Sequence, residues 1–478
     1  MIDDCEQALL ETNYSALREA LKQHLSETQK KTEQQCAAGR LEANAHPYSV
    51  DGEVGRFSFT TYRLESEEGQ TFYNSASEWF TPLQGKEWYK TRGFKELAFI
   101  YGSVEGSYRR TGAWINRVRH QPAATPARTV QDQTEAEGEK IAAAIEEQAA
   151  KVLQGHNFTA QAVPCDETAR YGPAERPLAN EAQVAEAIER CARGEAKLAL
   201  AIAANPVGYE EAEATIQVSI DEVGVKRQKE RREKAEGSEI TPGAATEAGD
   251  RSAQGAGQPK YVHNTIAPVE QAGRSYVLNG SSVVHVLRLL IAFLLHNKLT
   301  HLGLIFFVDG QRTLHAALLK SFSYFRGVQL ILDWFHLEEK GGQQLSLALA
   351  GKEKRNQALE ETLKLLWLGL VEHAIHYLRE IDPSWIKNKE ALEKMIGYLE
   401  RHRGYIPAYA VRKELGWCNS SNRGEKSNDL GVSKRQKHNG MSWSKSGSVA
   451  LASLTGVARN GEDKRWFKTG KIAFKLAA

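Results

Sequence analysis

Three apolar stretches of the chain each run into an aspartate. Residues 214–221 alternate apolar and polar side chains (Ala214-Thr215-Ile216-Gln217-Val218-Ser219-Ile220-Asp221), the period-two pattern of a β-strand. Residues 302–309 are almost wholly apolar and end at Val308-Asp309, and residues 328–333 repeat the design at Leu332-Asp333. Further strand-like segments fall at 261–269 and 274–278. Helical patterns at 281–298 and 314–322 are interleaved with the strands, and such alternation predicts an α/β sheet. From 338 to 412 the pattern is helical throughout, with Leu345, Leu349, Leu359, Leu363 and Leu366 on periodic faces.

The N-terminal third reads differently. Residues 1–45 are polar and helix-forming, with Leu9, Leu10, Leu17, Leu21 and Leu25 on one face, and 56–72 alternate like a short hairpin. A helix from about residue 92, a turn at 103–106 and a second helix rich in arginine (Arg109, Arg110, Arg117, Arg119) fit a helix-turn-helix. An Ala/Glu-rich helix follows at 138–153. The expected organisation is an N-terminal helical and hairpin region (1–84), a helix-turn-helix DNA-binding region (85–155), a connecting region (156–210), the first part of the α/β core (211–337), a helical insertion (338–412), and a core completion with a basic tail (413–478).

Composition narrows the class. Hydrophobic residues make up 41% and charged residues 26% of the 478, the values of a folded protein in water. The five cysteines are scattered, without the paired spacing of a zinc site or a disulfide framework. The first residues lack the basic-then-apolar order of a secretory signal. The longest greasy run, 283–295, is broken by His285 and Arg288 and is shorter than a bilayer span. A cytoplasmic, nucleoid-associated location without membrane partners is the expectation. Net charge is only +2, yet residues 401–478 hold 16 Lys and Arg against 5 Asp and Glu. A tail at +11 beside a body at −9 suits contact with a polyanion, a solvated basic face being the plain alternative.

Carboxylates at the carboxyl ends of buried strands face the crevice where α/β folds place ligands. Cleaving a phosphodiester needs an activated water and charge relief on the leaving oxygen, which two Mg²⁺ ions held by hard oxygen ligands supply. Any one strand-end aspartate taken alone is more often a turn or helix cap, and Asp333 with His336 would look the same as a cap and a packed ring. Gly310 behind Asp309 allows a tight turn. Trp443 reads better as a core anchor than as a stacking surface for a base.

The combination of motifs resembles the Mutator-like transposases of bacterial insertion sequences. The first strand ends in Ile220-Asp221-Glu222-Val223-Gly224, and a later one in Val308-Asp309-Gly310. An Asp-x-x-His signature stands at Asp333 to His336, and a third acid, Glu425, precedes Gly440-Met441-Ser442-Trp443. The match covers about residues 210–450. It departs before the third acid, where related enzymes often read Ser-Gly-x-x-Glu and this chain has Ser421-Asn422-Arg423-Gly424-Glu425; Glu414 is the rival acid upstream.

The resemblance implies an RNase H-like catalytic core interrupted by an all-helical insertion, and DNA strand cleavage and transfer by Asp221, Asp309 and Glu425 as metal ligands for Mg²⁺ or Mn²⁺. Asp333 and His336 would be accessory. The implied partners are double-stranded DNA, terminal inverted repeats and target DNA, with a homo-oligomer assembled on them. Arg109, Arg110, Arg117, Arg119, Lys434, Arg435 and Lys437 are the expected DNA contacts. Two other classes stay open: a catalytically silent DNA-binding regulator derived from a transposase, and an RNase H-fold nuclease.

Overall fold

The strand and helix patterns after residue 214 build one mixed sheet, seen in a computed structural model that describes residues 2–35, 40–65, 71–73, 88–175, 178–228, 260–420, 429–437 and 441–476. The chain forms two compact units. Unit 1 comprises residues 1–142 and 434–471; unit 2 comprises 143–433 and 472–478.

In unit 2 the sheet contains β5 (Thr215–Ser219), β6 (Asp221–Lys226), β7 (Tyr261–Gln271), β8 (Arg274–Gly280), β9 (Gly303–Val308) and β10 (Val328–Leu332). Its order is β10-β9-β5-β7-β6, with β8 on β7. β5, β9 and β10 run parallel, while β7 is antiparallel to β5, β6 and β8. β5 and β6 behave as one strand against β7: Val218 faces Val269 and Asp221 faces Ile266, so no residue is gained or lost between them. All six residues of β9 are buried, which explains its unbroken apolar run.

Helices cover this sheet. α7 (Val283–His296), capped by Ser282, buries nine apolar residues and sets Phe293 4.7 Å from Tyr276 of β8. The greasy run is therefore a core helix, and among the described residues no helix is long and apolar enough to cross a membrane. Against β9 and β10 lie α9 (Trp334–Ala348), α10 (Lys352–Trp367), α11 (Val371–Arg379), α12 (Lys389–His402) and α13 (Tyr409–Glu414). Leu337, Leu345, Leu366, Ile375, Met395 and Leu399 join Ile305, Phe307, Ile331 and Leu332 in one core. Each such side chain contributes about 1.5–3 kcal/mol on burial, so the helical segment is an integral layer of the unit. α8 (Arg312–Ser321) follows β9. The connecting stretch supplies α5 (Glu181–Ala192) and α6 (Ala196–Ala203), which form a small core with Val411 of α13. The end of α4 (Ala127–Gly155) is tied to α7 through Glu146, which takes the His285 ring and Arg288.

Unit 1 holds a second sheet, β3-β2-β1-β4, of β1 (Arg40–Gly52), β2 (Gly55–Glu65), β3 (Thr71–Tyr73) and β4 (Trp88–Lys90). The hairpin expected within 56–72 is thus mainly a pairing of β2 with β1. The strand begins at Arg40, inside the stretch expected to be helical; α1 itself spans Ile2–Gln35. α2 (Arg92–Val104), a turn at 105–107 and α3 (Tyr108–Val118) form the helix, turn and helix, capped by Thr91 and Ser107. The tail does not stand apart. α14 (Lys445–Arg459) and α15 (Asp463–Thr469) belong to unit 1, with Phe467 edge-on to Phe99 at 5.2 Å and Trp466 donating to Glu137. Gly138 admits this packing, because a methyl group there would lie 2.2 Å from the Ala450 carbonyl oxygen.

Candidate functional site

Ser219 of β5 is paired with Phe307 of β9, and Leu332 of β10 with Val308. Continuing these registers brings Asp221, Asp309 and Asp333 to one level at the carboxyl ends of three neighbouring parallel strands. Asp221 does not end its strand as the sequence pattern suggested. It opens β6, held on one side by β7 while its other side has run past the end of β9. Asp221 and Asp309 are both half-buried. Carboxylates so placed are hard oxygen donors of the kind Mg²⁺ and Mn²⁺ accept.

Asp309 is shaped by its neighbours. Its Oδ1 accepts from the Gln311 backbone N–H at 2.9 Å, and Gly310 takes φ +85°, a left-handed conformation that a side chain resists. There is a second reason for glycine. A methyl group at 310 would sit 2.6 Å from Oη of Tyr398, which α12 brings over the turn. Behind it, His402 lies 4.5 Å from the Tyr398 ring and 5.4 Å from His315 of α8. Burial holds His315 below its ordinary pKa, opposed by the charge of Asp309, and burial with neighbouring His315 and arginines lowers His402 to about 4. Both rings are neutral near pH 7. Burial, then Asp309, pushes the Tyr398 phenol up.

Asp333 is 1% exposed and caps α9, its Oδ1 accepting from Phe335 N at 2.8 Å and His336 N at 3.2 Å. The cap is what the structure gives it; His336 follows, half-buried, in the first turn. Glu425, the third expected acid, lies outside the described residues. Its rival Glu414 is exposed and ion-paired to Arg190 at 3.1 Å, at the end of α13. Among the described residues no group of three His, Cys, Asp or Glu side chains is placed to hold a metal ion. Of the three expected ligands, Asp221 and Asp309 are described and stand level on neighbouring strands.

No match appears. Neither a protein-family model, nor a curated protein, nor a solved structure matches this chain.

The expected DNA contacts divide by burial. On α3, Arg109, Arg110 and Arg117 are exposed, with Trp114 beside them and the Arg117 guanidinium 5.5 Å from its ring. Arg119 is fully buried, bonded to Asp51 at 3.0 Å and Thr125 at 2.7 Å, so it fastens α3 to β1 and is closed to DNA. The helix period carried the signal: Arg119 shares a face with the buried Tyr108, Thr111 and Ile115. Arg435 is likewise 1% exposed, donating to the carbonyls of Gly102 and Gly106 and stacked on Tyr108 and Trp443. Lys434 and Lys437 stay exposed. Trp443 is a core residue, its indole N–H donating to Gln436 O at 3.0 Å. What sequence reasoning missed is Tyr398. Only its helical spacing marks it, since it comes to the Gly310 turn from a distant part of the chain.

Proposed function

We propose that this chain is a transposase that cuts DNA at the ends of a mobile element and joins the freed strands to a target, with an RNase H-like core in unit 2. The observation that carries it is the register placing Asp221 and Asp309 level with each other at the ends of adjacent parallel strands. The topology supports it: taking β5 and β6 as one first strand, the order is fifth, fourth, first, second, third, with only the second antiparallel to its neighbours. That is the arrangement an RNase H-like core requires, and the helices after β10 stand where the resemblance expects an insertion.

Bound divalent ions would lower the pKa of a water and neutralise charge on the leaving oxygen. The chain's own part is to hold them: Asp221 and Asp309 present carboxylates, and Glu425 is the expected third. The Gln311 N–H fixes one Asp309 oxygen, leaving the carboxylate oriented by the turn. The exposed arginines and Trp114 of α3 form a face suited to a DNA groove, where guanidinium groups meet phosphates and base edges. Copies of the chain would assemble on the two element ends.

The test is a nicking and strand-transfer assay with purified full-length protein, Mg²⁺ and DNA carrying the sequences that flank its gene. Asp309→Asn should reduce cleavage at least a hundredfold while DNA binding persists. Undiminished cleavage by that variant removes Asp309 from the reaction. Binding without cleavage by the unaltered protein favours the silent regulator, and cutting without joining favours the nuclease.

A further inference from the structure

Buried polar groups nearly always find a partner, because a hydroxyl stripped of water and left unbonded forfeits the hydrogen bonds it had in solvent. Tyr398 breaks this rule beside the candidate site. It is 7% exposed, and its hydroxyl has no hydrogen-bond partner among the described residues. The hydroxyl is aimed at the Asp309-Gly310 turn, as its 2.6 Å separation from a methyl position on Gly310 shows. The charge of Asp309 reaches it, after burial the largest influence on the phenol. His315 Nε2, the other buried atom facing this charge, is also without a partner among the described residues.

The ring itself is well held. It packs in the core shared by α9, α12 and the sheet, with the His402 ring 4.5 Å away. A phenylalanine would pack as well and carry no unmet donor. The hydroxyl is therefore a cost to the resting fold; the turn that carries Asp309 is the backbone it lies against, with Arg401 and the capping Asp333 also within electrostatic reach.

We propose that Tyr398 is a positioning residue for the metal site: its hydroxyl donates to the Asp309 carboxylate when that group holds a divalent ion. This rests on the metal-dependent reading above and adds a role for the helical insertion, which delivers the donor. A carboxylate ligand is steadied by an outer hydrogen bond to the oxygen lone pairs the ion leaves over, and loss of such a partner typically costs 10–100-fold in affinity or activity. DNA need not reach the buried hydroxyl, and the Gln311 N–H occupies only one of the two Asp309 oxygens.

The experiment compares the full chain with Tyr398→Phe, following Mn²⁺ binding by electron paramagnetic resonance and the Mg²⁺ dependence of nicking. The variant should bind Mn²⁺ about tenfold more weakly and need about tenfold more Mg²⁺ for half-maximal nicking, with full rate restored at high Mg²⁺. Its metal-free melting temperature should equal or exceed that of the parent. Unchanged Mn²⁺ affinity overturns the proposal, whatever happens to stability, because a packing role would lower melting and leave metal affinity alone. As a second measurement, 3-fluorotyrosine at position 398 should give a ¹⁹F resonance that moves on adding Mg²⁺ and stays still in Asp309→Asn; a silent resonance counts against it equally. If the unaltered protein binds Mn²⁺ no better than Asp309→Asn, the metal-site reading itself fails and takes this role with it. Metal binding that is lost in Asp309→Asn but intact in Tyr398→Phe sinks the tyrosine alone.

Discussion

Gly310→Ala separates two costs that fall on one residue. The left-handed φ of +85° penalises a β-carbon by about 1–2 kcal/mol. The added methyl would also meet Tyr398 at 2.6 Å from Oη and 3.1 and 3.2 Å from two ring carbons, closer than packed atoms tolerate. Overpacking of this kind costs about 1–3 kcal/mol, so the variant should lose roughly 2–5 kcal/mol in all. Tyr398→Leu removes the obstacle and leaves the backbone strain. In the double variant the steric share should vanish, making it about 1–3 kcal/mol more stable than the sum of the single losses. Native-state hydrogen exchange of peptides spanning β9 and β10 reports this free energy locally, which matters in a chain of two units that need not unfold together. Additivity within about 0.5 kcal/mol would refute the contact between Tyr398 and the turn.

Glu425→Gln should abolish cleavage and keep DNA binding, whereas Glu414→Gln, which loses only a surface pair with Arg190, should cleave normally; the reverse result in a nicking assay would reassign the third acid. Arg119→Met should destabilise unit 1 by about 3 kcal/mol, the lower end for a broken buried pair because Arg56 still holds Asp51 through two hydrogen bonds, and should leave DNA affinity of the folded protein unchanged by gel shift. Replacing the exposed Arg109, Arg110 and Arg117 with glutamine should flatten the salt dependence of DNA binding by roughly one unit of slope per lost phosphate contact. His402 takes up a proton at about 4 in the fold but near its ordinary 6.5 when unfolded, so stability should fall by up to about 3 kcal/mol as pH drops from 6.5 to 4. Urea titrations of His402→Gln across that range should show a shallower loss; an equal loss exonerates the ring.

Five of the six strands of this sheet were legible because each carried its own local pattern, whereas β6 was not, since the acid at 221 looked like the end of a strand and not the start of one; the aspartates after β5, β9 and β10 were legible because a polar residue at the end of an apolar run stands out. Residue patterns also suggested the role of Asp333 as a cap, since its competition for backbone N–H groups is decided within three residues. Contacts between distant segments leave no such trace. Nothing near residue 398 announces that its hydroxyl meets the turn at 310, and nothing in the basic tail tells that Arg435 serves the carbonyls of Gly102 and Gly106. Charge misled for a physical reason: a guanidinium is as good a cross-link for buried carbonyls and carboxylates as for phosphates, and only its helical face separates the uses.

The unbroken register of β5 and β6 against β7 makes the placement of Asp221 a matter of counting. Side chains alternate faces along a strand, so one residue inserted or deleted between Val218 and Asp221 would turn the carboxylate to the opposite side of the sheet and uncouple it from Asp309. Two residues would restore the face but carry the acid a full repeat, about 7 Å, along the strand. Within these few positions, then, a change of chain length moves the acid relative to Asp309.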